Sequence, residues 1–93
     1  MNVSELYNYK KHFASRIVGE ELILVPVKSN VADMDKIFTL NGVGNFIWEK
    51  IDGKNSEEDI IHEVANEFDV GTETATMDVK EFLNRLYDIV TKI

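Results

Sequence analysis

The chain contains no cysteine. That excludes a disulfide scaffold, thiolate metal sites and cysteine nucleophiles. Its two histidines, His12 and His62, are too few to build a structural zinc site without thiolates. A single proline, Pro26, lies inside the longest apolar run, Leu22 to Val27. This run falls far short of the roughly 18 residues of a membrane span. Glu5 stands near the N-terminus and no apolar h-region follows, so no secretory signal is expected. Positive charge is also scarce: 10 Lys and Arg against 17 Asp and Glu give a net charge of -7. Residues 57–73 carry Glu57, Glu58, Asp59, Glu63, Glu67, Asp69 and Glu73 with no Lys or Arg. Such a stretch repels a phosphate backbone. Its simplest reading is a solvated helix face; a docking face for a basic partner is the alternative. These absences point to a cytoplasmic chain with neither a membrane nor a nucleic-acid partner.

What is present fits one small folded domain spanning 1–93. Of its 93 residues, 44% are apolar and 10% aromatic, more than a disordered chain carries. Residues 1–12 read as a flexible or short helical arm, with Ser4 as a candidate cap. Phe13 to Val18 and Glu21 to Val27 are rich in β-branched and apolar residues and read as strands. Between them, Gly19-Glu20 suits a two-residue hairpin turn of type II′, with glycine taking the positive φ. Both faces of the second strand are apolar, so it is expected to be covered on both sides or close to another surface. Lys28 to Asp35 reads as a loop, and Lys36 to Leu40 as a third short strand.

The period then becomes helical. Asn41 is a candidate cap for a helix carrying Val43, Phe46, Ile47, Trp48 and Ile51. Asp52-Gly53 stops it. Ser56, with Asp59 three residues on, has capping-box spacing and opens a second helix with Ile60, Ile61, Val64, Ala65 and Phe68 on one face. A third starts between Thr72 and Thr76, with Val79, Phe82, Leu83, Leu86 and Val90 as its apolar stripe. The expected fold is therefore α+β and winged-helix-like: a three-stranded antiparallel sheet followed by a three-helix bundle.

Motifs for chemistry are incomplete. His62-Glu63-Val64-Ala65-Asn66 has Asn66 where a zinc protease helix needs its second histidine. Gly42-Val43-Gly44 lacks the third glycine of a dinucleotide loop, since Ile47 stands there. No nucleophile elbow or phosphate-cradling lysine motif occurs. Neither catalysis nor a cofactor nor a metal is expected. The third helix, the candidate reading helix of a winged-helix nucleic-acid binder, is net acidic, which argues against that function.

One ordered set of residues is distinctive: Leu40-Asn41-Gly42-Val43-Gly44-Asn45-Phe46-Ile47-Trp48, then Ile51-Asp52-Gly53, then Ser56-Glu57-Glu58-Asp59-Ile60. With the apolar-patterned segment from Asp78 to Leu86, it resembles the PqqD family, the pyrroloquinoline-quinone synthesis protein D group. The likeness runs from about Ile17 to Val90. It implies a winged-helix-like precursor peptide recognition element. Such a domain binds the leader of a ribosomally synthesised precursor peptide (a RiPP precursor) as an added strand. It then presents the leader to a modifying enzyme, often of the radical SAM type, without doing chemistry itself. The resemblance places the leader beside the third strand, at Lys36, Ile37, Phe38 and Thr39. The third helix forms the opposite wall, with Lys80, Leu83, Asn84 and Tyr87 as candidates. Lys36, Lys80 and Arg85 are expected to meet acidic leader residues. Ile37, Phe38, Leu83 and Tyr87 are more simply explained as core or core-rim residues. The two-faced second strand and the aromatic N-terminus, with Tyr7, Tyr9 and Phe13, are compatible with a homodimer or an enzyme-docking surface. A small regulatory protein-interaction domain is the remaining alternative.

Overall fold

The computed structural model describes residues 2–26, 38–40 and 42–90. Its elements run α1 (Val3–Lys10), β1 (Phe13–Val18), β2 (Glu21–Pro26), β3 (Phe38–Leu40), α2 (Gly42–Lys50), α3 (Glu57–Phe68) and α4 (Thr72–Val90). The three strands form one antiparallel sheet in the order β1-β2-β3. The expected sheet followed by three helices is thus present, with a further helix ahead of it.

The β1–β2 register, Val18 opposite Glu21, leaves two residues in the turn. Gly19 has φ +64, and Glu20 does not share the positive φ. One positive φ, at the first central position, is the requirement of a type II′ turn, whereas type I′ needs two. Ser15 pairs with Leu24 and Ile17 with Leu22, while Leu22 pairs with Leu40. Leu22, Leu24 and Leu40 are buried and form the sheet's contribution to the core. On the other face Val18 and Val25 are exposed, and Ile23 is half-buried. Among the described residues no element covers that second face, so of the two expectations for β2, cover on both sides or closeness to another surface, the first is not met by them. One face of the sheet carries the helices and the other is open, a common antiparallel arrangement.

The helical layer follows its periodicity. Ile47, Trp48 and Ile51 bury α2 and its exit; Ile60, Ile61 and Val64 bury α3; Ala75, Val79, Phe82, Leu83 and Leu86 bury α4. Phe13 meets Trp48 edge-on, with ring centroids 5.6 Å apart, and Phe46 meets Phe68 in the same way at 5.4 Å. Each fully buried Leu or Ile of this kind contributes about 1.5–3 kcal/mol. At the start of α3, Ser56 Oγ accepts from the Asp59 amide at 3.1 Å and Asp59 Oδ2 accepts from the Ser56 amide at 2.9 Å. The capping box expected from the spacing is present.

The N-terminal arm is a docked helix. Its cap is Asn2, whose side chain accepts from the Glu5 amide at 2.9 Å, rather than Ser4. Val3 and Leu6 are buried in the common core. Lys10, at the end of α1, donates to the carbonyl oxygens of Trp48 and Ile51, each at 2.9 Å. These carbonyls lie at the end of α2, where orphan acceptors and the negative end of the helix dipole favour a cation. Lys10 thus does for α2 what a local cap would otherwise do. Asn41, the expected cap at the other end of α2, lies outside the described residues.

Candidate functional site

β2 holds the middle of the sheet, so β3 has a strand partner on one side only among the described residues. An edge strand presents unpaired amides and carbonyls. Beside that edge lies a concavity of about 240 Å³. It is lined by Thr39 and Leu40 of β3, Val43, Gly44 and Ile47 of α2, and Asp78, Glu81, Phe82 and Arg85 of α4. Its floor is apolar because Leu40, Ile47 and Phe82 belong to the core and only their outer atoms reach the groove. Its α4 wall is polar.

Gly44 sets the depth of this groove. A Cβ there would stand 3.4 Å from Leu40 Cβ and Cδ2 and from Phe82 Cε2. Glycine at this position lets α2, β3 and α4 approach closely at the groove floor.

The residues expected to carry the site divide into groups. Thr39 is exposed and lines the groove. Phe38 is in β3 and pairs with Leu24, whereas Lys36 and Ile37 lie outside the described residues. On α4, Leu83 is 1% exposed and belongs to the core. Lys80 forms an ion pair with Glu57 of α3 at 3.7 Å. Tyr87 lines a different cleft, with Asn2, Val3, Ser4, Ser56 and Glu57. Burial there, together with the charges of Glu57 and Glu5, raises its hydroxyl pKa above the ordinary 10.0. Asn84 is exposed and is not among the groove's lining residues. The structure therefore brings Thr39 together with Asp78, Glu81, Phe82 and Arg85, and not with Lys80, Leu83 or Tyr87. Of the two described cations expected to meet acidic leader residues, Arg85 lines the groove, beside two acids, and Lys80 does not.

Asp78, Glu81 and Phe82 were missed by sequence reasoning for a geometric reason. At 100° per residue, positions 78, 81, 82 and 85 form one flank of the α4 apolar stripe, and 80, 84 and 87 form the other. Periodicity locates the stripe but does not say which flank meets β3.

A second concavity lies between α1, the β1–β2 hairpin and α2, lined by Lys10, Ser15, Ile17, Leu22, Asn45, Trp48 and Glu49. No group of three or more His, Asp or Glu side chains is placed to hold a metal ion among the described residues. No helix among them is long and apolar enough to cross a membrane.

With this geometry in hand, comparison with family models is decisive. Residues 21–89 match the model of Coenzyme PQQ synthesis protein D (PqqD). The chain belongs to the PqqD family. The matched span begins at β2 and takes in β3 and the helices α2, α3 and α4, so the groove lies wholly within the PqqD match. α1 and β1 lie before it. Among solved structures, the PqqD chain superposes on "TbiB1 in Complex with the TbiA(beta) Leader Peptide" with a TM-score of 0.69. The match covers 85% of this chain and 86% of the other at 23% identity, which establishes a shared fold. Comparison with curated proteins finds no match.

Proposed function

We propose that this PqqD-family chain binds the leader segment of a ribosomally synthesised precursor peptide as an added strand on β3. We further propose that it presents that peptide to a separate modifying enzyme of the radical SAM type and performs no chemistry itself. The observation that carries the reading is the open edge of β3 lying against a groove with an apolar floor and a helical wall. Strand addition draws affinity from the main chain and selects sequence through alternate side chains, and this edge offers both. The shared fold with a protein solved in complex with a leader peptide supports the same reading. The proposed contacts are Lys36, Ile37, Phe38 and Thr39, of which Phe38 and Thr39 stand on β3 and Thr39 lines the groove described above. On α4 the wall is the flank of Asp78, Glu81, Phe82 and Arg85. The alternative of nucleic-acid binding is disfavoured by the two acids on that wall.

The test begins by immobilising the domain in a lysate of its source cells and recovering bound peptides as well as proteins for mass spectrometry. The recovered peptide is then titrated into the 15N-labelled domain. Amide shifts at Thr39, Leu40 and Val43, with co-recovery of a radical SAM enzyme, are the expected result. Shifts confined to the open face of the sheet, or recovery of nucleic acid alone, would overturn the assignment.

A further inference from the structure

The groove beside β3 carries an uneven charge. Asp78 and Glu81 stand one turn apart on its wall, above the floor of Leu40, Ile47 and Phe82. Neither carboxylate takes part in an ion pair or hydrogen bond among the described residues. Lys80, their neighbour in sequence, is paired with Glu57 on the opposite flank and does not neutralise them. Arg85, a turn further along, already has an interaction partner.

We propose that the groove selects an extended peptide in which an apolar residue and a Lys or Arg stand two positions apart. This rests on strand addition at β3 and names the chemistry of the peptide that would be added. In an added strand, residues i and i+2 share a face and lie roughly 6.6–6.8 Å apart. The wall from Asp78 to Arg85 rises about 10.5 Å along α4, enough to face two such residues. One seats its apolar side chain on the floor between Leu40 and Phe82. The other brings its cation to Asp78 and Glu81, beside an apolar surface that weakens solvent screening. An acidic residue at that position would meet two carboxylates with no internal cation to relieve them. Charge therefore specifies which peptide binds and in which register.

The probe is a phage-displayed library of random dodecapeptides panned on the intact domain. The best binder is then synthesised with a fluorescein label, alongside an analogue carrying Glu in place of its Lys or Arg. Selected peptides should share a cation two positions from an apolar residue. The Glu analogue should bind about tenfold more weakly, since one exposed ion pair is worth up to about fivefold and repulsion adds to its loss. The double variant Asp78→Asn, Glu81→Gln should bind both peptides with affinities within about twofold of each other, while replacing the apolar residue by Ser still weakens binding. Asp78→Asn alone, with the thermal melt of the parent, guards against a folding artefact. Peptides that shift the Thr39 and Leu40 amides but show no cationic preference would overturn the charge rule and leave strand addition standing. A library that yields no peptide shifting those amides would overturn both.

Discussion

At the scale of single residues, two lysines hold helix ends in opposite electrostatic circumstances. Lys10 is drawn into the junction of α1 and α2, 5.0 Å from the centroid of the Trp48 ring. Burial lowers its pKa below 10.5, outweighing the pull of Asp52 and Glu49. Lys50 stays at the surface, 2.9 Å from Glu63, and its hydrogen bond and charge interaction with that carboxylate raise its pKa above 10.5. The signs then separate. For Lys10 the unfolded chain holds the proton to higher pH than the folded one, so its contribution to stability grows as pH climbs to 10.5. For Lys50 the folded chain holds the proton longer. Its contribution is fully present below 10.5 and is lost as pH rises through the folded value. Denaturant melts of Lys10→Met and Lys50→Met at stepped alkaline pH should diverge from the parent accordingly: the deficit of the first widens with pH and that of the second closes. At neutral pH, Lys10→Met should lose about 1–3 kcal/mol, because the Trp48 and Ile51 carbonyls lose the ammonium donor, Trp48 O keeping the Ile51 amide at 3.2 Å. Gly53 is a second sensitive residue. Its φ is +83, and a Cβ there would stand 2.9 Å from the Tyr7 ring. Gly53→Ala should cost about 1–3 kcal/mol in the same melts. Adding Tyr7→Ala should relieve the clash but not the backbone strain.

At the scale of elements, α3 has a well-formed beginning and a poorly chosen end. Its first turn carries Glu57, Glu58 and Asp59 beside the capping box, where acids complement the dipole. Its C-cap is Asp69, a left-handed residue with φ 51 and an acid at the negative end of the helix. Glycine takes that conformation without penalty and removes the unfavourable charge. Asp69→Gly should therefore raise stability by about 0.5–1 kcal/mol, and Ser56→Ala should lower it by about 1 kcal/mol. For a chain of this size these correspond to thermal shifts of a few degrees in opposite directions, about 4–8 °C per kcal/mol. The contrast explains what was legible in sequence. Strands, the hairpin turn, the capping box and the helical stripes rest on residues within a few positions of each other. The docking of α1 was not legible, because Lys10 meets Trp48 and Ile51, some 40 positions away. No local pattern encodes that contact. The groove wall was half legible: the α4 stripe is periodic, but the flank that meets β3 depends on how the helix packs against a distant strand.

At the scale of the molecule, β3, α2 and α4 converge on Gly44, so one position tests whether fold and binding can be separated. A methyl there would touch Leu40 and Phe82 at 3.4 Å, the close limit of ordinary contact. Gly44→Ala should leave stability within about 1 kcal/mol of the parent, because the gain in helix propensity offsets the tighter packing. The added carbon nevertheless displaces the floor that a bound strand would rest on. Gly44→Leu cannot be accommodated in this way. Its further carbons force the Phe82 ring or Leu40 to move, which should cost about 1–3 kcal/mol and close the groove. Thermal melts and fluorescence anisotropy with the same labelled peptide should therefore give two different series. Stability should stay near level from Gly to Ala and fall at Leu, while affinity should fall severalfold at Ala and further at Leu. Exposed Val25, on the open face of the sheet, supplies the control. Val25→Thr keeps a β-branched side chain and should leave both melt and affinity near the parent values. If Gly44→Ala leaves affinity untouched and Val25→Thr reduces it, the peptide sits on the open face of the sheet and the groove is not its site.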